Sequence, residues 1–397
     1  YDAAGNIVGS EFQINTVTAG SQENATVTSL VDGGFVIAWS DGDAGRVRYG
    51  VYGQRYDASG NPEGGEFQVN TYTTTYHSPS LTSLADGGFI VTWDSSQGQD
   101  GDSFGIYGQR YDVDGNVVDT EFQVNTFTPG TQEAPSITSL NDGGFVVVWH
   151  SWQDGSGFGI YGQQYAADGI TVNGEFQVNT YTSGNQQDVE VTALTDGGFL
   201  VTWDSNGQDG SGMGIYGQRY DASGNTTGSE FRINTYTDAN QIYPSVAPLS
   251  DGGFIVTWDS YTQDAGTRGV YGQRYDASGS SVGSEFQINT FTNSDQLVPS
   301  VASLSDGGFV VTWFSYDQDS SGSGIYGQRF DSNGQPVASS NAVTGVSTLD
   351  FNSLNLVGGD RITLTIAGGT QVQGTIGNDG DLDTLLTSMA TNIANQT

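Results

Sequence analysis

Along most of this chain polar and apolar residues alternate over four to six positions at a time, and short Gly- and Asp-rich breaks separate the runs. One set of such runs is Ser80 to Leu84, Phe89 to Trp93, Gly105 to Tyr111 and Glu121 to Thr126. A period of two over so few residues is that of a half-buried β-strand, and the runs are too short for helices. The breaks, such as Asp86-Gly87-Gly88, supply turn chemistry between them.

The set recurs. Asp-Gly-Gly-Phe begins at Asp32, Asp86, Asp142, Asp196, Asp251 and Asp306, at spacings of 54, 56, 54, 55 and 55 residues. Four strands in about 55 residues, six times over, match the radial blades of a propeller rather than a solenoid, whose coils are shorter. The expectation is an all-β, six-bladed β-propeller over residues 1–338. The N-terminal run Glu11 to Thr16 reads as a fourth strand that lacks three predecessors, and the sixth repeat lacks its own Glu-Phe-Gln-Val-Asn-Thr segment. Pairing the two would close the ring and remove two open edges. The alternative is an array cut from a longer one, since Tyr1-Asp2 resembles the end of a third strand and the chain does not begin with Met. One Trp ends each second strand: Trp39, Trp93, Trp149, Trp203, Trp258 and Trp313. These are blade-packing residues.

From about Ser339 the repeat stops. Residues 339–397 read as a small α+β module or as part of one, with strands at Ser347 to Phe351, Arg361 to Ile366 and Thr370 to Ile376. A helix should follow, with Leu382, Leu385, Leu386, Met389 and Ile393 on one face and Asp381 and Asp383 at its positive end. The module is a candidate for self-assembly.

Charge narrows the partners. With 45 acidic residues against 10 basic ones, all of them Arg, the formal net charge is -35. Such a field repels nucleic acid and anionic membrane surfaces and favours multivalent cations. There is no Cys, and His77 and His150 are too few for a structural zinc site. No apolar run is long enough to be a membrane-spanning helix.

The loops joining second and third strands should share a face with those joining blades, and these are the segments that vary between repeats. Variable loops on a rigid scaffold are where binding usually resides. Asp100, Asp102, Asp154, Asp209, Asp264 and Asp319 recur there beside Gly and Ser, with Asp41 and Asp43 in the first repeat. Carboxylates among carbonyl-rich turns offer hard oxygen ligands, which suit calcium; the same residues also simply make turns. Phe104, Trp152, Phe158, Tyr261 and Tyr316 are candidate platforms for sugar rings, with capping of blade ends as the structural alternative. On the opposite face, Asp112-Val113-Asp114-Gly115-Asn116 starts like a calcium loop but lacks the distal Glu, so it reads as a hairpin turn. Five repeats carry Arg two residues before that turn's Asp, as in Arg110 and Asp112, while the third carries Gln164 and Ala166. The joint change points to a structural Arg–Asp pair.

The repeated Asp-Gly-Gly-Phe-Val-Val-Thr-Trp, Gly-Ile-Tyr-Gly-Gln-Arg-Tyr-Asp and Glu-Phe-Gln-Val-Asn-Thr segments resemble repeats of very large secreted bacterial surface proteins of the RTX adhesin kind. The resemblance implies an extracellular or cell-surface setting, calcium-rich surroundings and adhesion. The nonapeptide that binds calcium in RTX regions is absent, so no residue inherits that role. The last 40 or so residues resemble a short motif of flagellin and hook proteins. Asp-Gly-Gly-Phe with a following Trp also resembles the Asp-box of sialidases, but the Trp comes seven residues after the Asp and no Arg cluster accompanies it.

Since the carboxylates repeat and catalysis needs unlike groups, the expectation is a non-enzymatic surface protein that binds glycans or neighbouring proteins with calcium. The first alternative is a polysaccharide hydrolase or lyase whose acid pair assembles from Asp100, Asp154 or Glu190, the last replacing a Ser or Thr of the other inner strands. The second is a purely structural subunit of a surface layer or filament.

Overall fold

The computed structural model describes residues 9–42, 49–73, 78–96, 98–264, 267–337, 361–365 and 371–375. Six antiparallel four-stranded sheets account for the repeats, each with its strands in chain order. In blade four they are Gln186–Ala193, Phe199–Asn206, Met213–Tyr220 and Thr226–Arg232. The first strands of consecutive blades lie side by side, which makes them the inner strands of a six-bladed β-propeller.

Packing follows from the sequence period. Alternate residues of a second strand point to opposite faces, and in the middle of the array each face meets another blade. Val146, Val148 and Ile160 of blade three therefore pack on Phe199, Val201, Trp203, Tyr216 and Tyr220 of blade four. Phe145–Ser151 is buried along its whole length. Within a blade, the Phe after each Asp-Gly-Gly stacks on the Tyr that ends the third strand, as with Phe145 and Tyr165 at 4.6 Å.

Two expectations are corrected. The fourth strand starts directly after the outer turn, at Val117 in blade two, and ends at Gln123, so Val124-Asn125-Thr126 lies beyond it. Blade six possesses that start itself: Pro336–Val337 pairs with Arg329 and Phe330. Glu11 to Thr16 belongs to no strand. It lies instead on blade one, with Phe12 tilted on Tyr56 at 5.5 Å and Thr16 donating to Glu66. Among the described residues it pairs with no strand of blade six; its Glu11-Phe12-Gln13 corresponds to the end of a fourth strand, Glu121-Phe122-Gln123 in blade two, and Thr16 meets Glu66 as Thr126 meets Glu175 of the following blade.

The second correction concerns Arg. Arg110 pairs with Asp86 of the Asp-Gly-Gly turn, at 3.4 Å, and Arg55, Arg219, Arg274 and Arg329 do the same with Asp32, Asp196, Asp251 and Asp306. Asp57 and Asp112 instead cap their own turns through the Asn61 and Asn116 N–H groups. Residues two apart share a strand face, but Asp112 lies past the strand end, where the backbone turns away. The Arg side chains reach onward: Arg110 donates to Ala167 O of blade three, and Gln164 is within 3.5 Å of Ala222 O of blade four.

The chain divides into residues 1–339 and 340–397. In the second unit Arg361–Thr365 and Gln371–Thr375 form an antiparallel hairpin in which Thr363 faces Gln373. The strand expected at Ser347 to Phe351 and the helix carrying Leu382 to Ile393 lie outside the described residues.

Candidate active site

Each inner strand in blades one and three to six bulges once. In blade four the register slips between Gln187 and Glu190, with Asp188 in the left-handed region at φ 50°. Ala134, Tyr243 and Val298 hold the same place at φ 52°, 56° and 49°. A bulge frees a backbone N–H, and the preceding blade supplies its acceptor from the residue after the repeated Trp. Asp94 accepts from Ala134 N at 3.1 Å and Asp259 from Val298 N at 3.3 Å. Buried carboxylates at these positions have this structural task first.

The series is not uniform. After the six Trp come Ser40, Asp94, His150, Asp204, Asp259 and Phe314. The inner strand of blade four adds Asp188 at the bulge and Glu190 where the other blades carry Thr26, Ser80, Ser136, Ser245 and Ser300. Unlike groups therefore accumulate on blades three to five.

Their chemistry differs residue by residue. Glu190 is exposed to solvent on its inner strand and accepts from Ser136 Oγ at 3.0 Å. Desolvation by the surrounding protein pushes its pKa up; the Ser136 bond opposes this, and the Asp188 charge adds to it. Asp204 is wholly buried, with the Asp188 carboxyl and the Tyr243 N–H as its polar neighbours. Burial, then the neighbouring Asp188, hold its pKa well above the carboxylate range. Asp259, equally buried, is pushed to about 7 by desolvation even though Arg268 Nη2 donates to it at 2.6 Å. In blade three, His150 Nε2 lies 3.3 Å from Glu133 Oε1.

Of the aromatic candidates, Trp152 is 59% exposed and stands edge-on to Phe158 at 5.5 Å, and Phe158 packs on His150 at 4.5 Å. Tyr261 lies under the Arg268 guanidinium at 4.3 Å, which ties it to Asp259. Phe104 and Tyr316 make no ring contact among the described residues; Phe104 joins Thr131 in a bridge, and Tyr316 N donates to Asp295 O. Those backbone contacts do put second-to-third-strand loops against the following inter-blade loops, on one face.

The six candidate metal ligands are spread over five blades. Asp100, Asp154, Asp209 and Asp319 accept from Asp102, Ser156, Ser211 and Ser321 N, capping their own turns. Asp102 accepts from Gly130 N of the next loop, and Asp264 from Asn289 Nδ2. Among the described residues no three His, Asp or Glu side chains are arranged to hold a metal ion. Asp43 lies outside them. Asp100 and Asp154 each cap their own turn, and the acid whose charge acts on Glu190 is Asp188. Asp188, Asp204 and Asp259 were missed because the sequence reading compared loops. Aligning the residue after each Trp would have found the last two.

No protein-family model matches the chain, and no curated protein matches its sequence. Solved structures do resemble it. A protein of unknown function from Dyadobacter fermentans aligns with TM-score 0.55 at 11% identity, covering 78% of this chain and 94% of that one. An α-L-arabinanase from Penicillium chrysogenum complexed with arabinobiose gives 0.54 at 16% identity, covering 78% and 93%. An α-L-arabinofuranosidase from Fusarium graminearum with an iminosugar inhibitor gives 0.52 at 12% identity, also covering 78% and 93%. At such identities the likeness establishes the propeller. The expectation of a non-enzymatic adhesion protein is corrected at its premise, that only repeated carboxylates are present: blade four breaks the repeat with Asp188 and Glu190, and the two neighbours named above by activity, an arabinanase and an arabinofuranosidase, are enzymes.

Proposed function

We propose that the chain is a glycoside hydrolase acting on a polysaccharide, with arabinose-containing glycans as the first substrates to test. The observation that carries the reading is Glu190, with the Asp188 charge acting on it, at the place where the inner strands depart from Ser or Thr. Glycosidic cleavage needs one carboxyl group that keeps its proton to near neutrality and one that is ionised.

Glu190 is the general acid in this reading. Its raised pKa keeps it protonated, and its exposure lets it reach a leaving-group oxygen. Asp188 is the second carboxylate, acting as nucleophile or as base towards water. Asp204 lies behind Asp188, too buried to touch substrate, and positions it. Trp152 supplies an apolar platform for a sugar ring at the loop face, adjoining Phe158 and His150. A polysaccharide of this kind lies outside the cell, in keeping with the setting that the repeat resemblance implies.

The test is turnover of arabinan and a panel of other plant and microbial polysaccharides, read as reducing ends. Glu190→Gln and Asp188→Asn should each lower kcat by about 10²–10⁴ while leaving the melting midpoint near that of the parent. No turnover on any member of the panel, or full activity in both variants, would overturn the reading. Proton NMR of the first anomer released then assigns Asp188 as nucleophile or base.

A further inference from the structure

Five joints between consecutive blades are built alike, and the sixth is open. After blade two, Val124 N donates to Ile106 O at 2.8 Å and Ile106 N donates to Asn125 Oδ1 at 2.7 Å. The same two bonds recur after blades one, three, four and five. After blades one to four the connecting segment then docks on the next blade, as Thr126 does on Glu175.

By this repeat the partners at the sixth joint are Ile14 and Asn15 on one side and Ile325 on the other. Half of that joint is present, since Thr16 is docked on Glu66 and Phe12 on Tyr56. The other half is bare. Ile325 is 65% exposed, whereas Ile106, Ile160, Ile215 and Val270 are fully buried. The two-residue fourth strand of blade six covers only Arg329 and Phe330, so among the described residues the edge from Gly324 to Gln328 is unpaired. On blade one, Val27 is 63% exposed, against 6% to 8% for Leu81, Ile137, Val191 and Val301. A cavity of about 330 Å³ lined by Ile14, Val27, Ile37 and Trp39 opens beside it.

We propose that these two surfaces are halves of one interface between copies of this chain, with the Glu11 to Asn15 segment of one copy adding to the Gly324 to Gln328 edge of the next. The partner is fixed by the repeat: each surface already finds its complement five times within the chain. A second copy is favoured over closure on itself because closing the gap within one chain would require re-angling five packed joints, and close-packed interiors resist that. A second copy meets the open edge without deforming anything. The contact is heterologous, so its products are rings or open filaments of several chains, formed by strand addition.

The natural absence of Cys makes the test clean. In blade two the residues corresponding to Gln13 and Tyr326, Gln123 and Tyr107, are directly paired, a separation that a disulfide spans. The double variant Gln13→Cys/Tyr326→Cys should give, on oxidation, a ladder at two and more chain masses, and a mixture of the two single variants should give dimers joining one of each. A disulfide confined to single chains would overturn the proposal in favour of self-closure. So would the absence of any disulfide. Independently, light scattering should show the parent mass rising to at least twofold with concentration, and Ile325→Glu should abolish the rise with an unchanged melting midpoint, since Ile325 is exposed in the single chain. A parent mass that stays at one chain at every concentration would also overturn it.

Discussion

Ser136 on the inner strand of blade three donates to Glu190 on the inner strand of blade four, at 3.0 Å. The bond favours the ionised carboxylate and so opposes the upward push of the surrounding protein. Ser136→Ala should raise the Glu190 pKa further. With Glu190 as general acid, the alkaline limb of the kcat/KM profile should move to higher pH while the acid limb stays in place. An unmoved alkaline limb would remove Glu190 from the acid role.

A second contact recurs at the joints after blades one to four. Thr71 donates to Glu121 Oε2 through both its N–H and its hydroxyl, at 2.7 and 3.0 Å, and Thr126, Thr180 and Thr235 repeat this on Glu175, Glu230 and Glu285. Hydrogen bonds to a charged group are worth about 1.5–3 kcal/mol, with exposure at the low end. Glu121→Ala and Glu230→Ala should therefore each cost roughly 1–2 kcal/mol in denaturant unfolding, by similar amounts. A large loss at one blade only would show that the joints are not equivalent.

The Asp-Gly-Gly turn is fixed by space. A Cβ on Gly88 would stand 2.1 Å from Tyr111 O, a backbone atom that cannot yield, whereas one on Gly65 meets nothing within 4 Å. Gly88→Ala should cost about 3 kcal/mol or more, and Gly65→Ala should fall within about 0.5 kcal/mol of the parent. Chemical denaturation of the pair checks both; tolerance of Gly88→Ala would mean that the turn can move away from the third strand.

The blades were legible in the sequence because the strand period and the turn residues are local signals that recur six times. The partner of Arg110 was not, because it depends on where Asp86 stands once the second and third strands have paired. Glu190 was visible as a departure from Ser or Thr. Asp188 and Asp204 were not, since the first looks like one more loop acid until a bulge turns it, and the second lies on an adjacent strand. Comparing loops hid what comparing strand positions would have displayed.

Asp94 offers a test of the buried acids. Desolvation pushes its pKa to about 6, against the Ala134 and Ser78 N–H groups, with the Glu133 charge adding to the push and His150 opposing it. In the unfolded chain this carboxyl group ionises near pH 4. Between about pH 4 and about pH 6 the folded state therefore holds the extra proton, and by linkage stability falls as pH rises through that window. Asn cannot ionise. Relative to the parent, Asp94→Asn carries a constant cost for a lost acceptor, but the gap in melting midpoint should narrow steadily from pH 4 to pH 6 and then level off. A gap that does not change across the window would mean that Asp94 ionises normally in the folded state, through water reaching the site or a closer approach of His150.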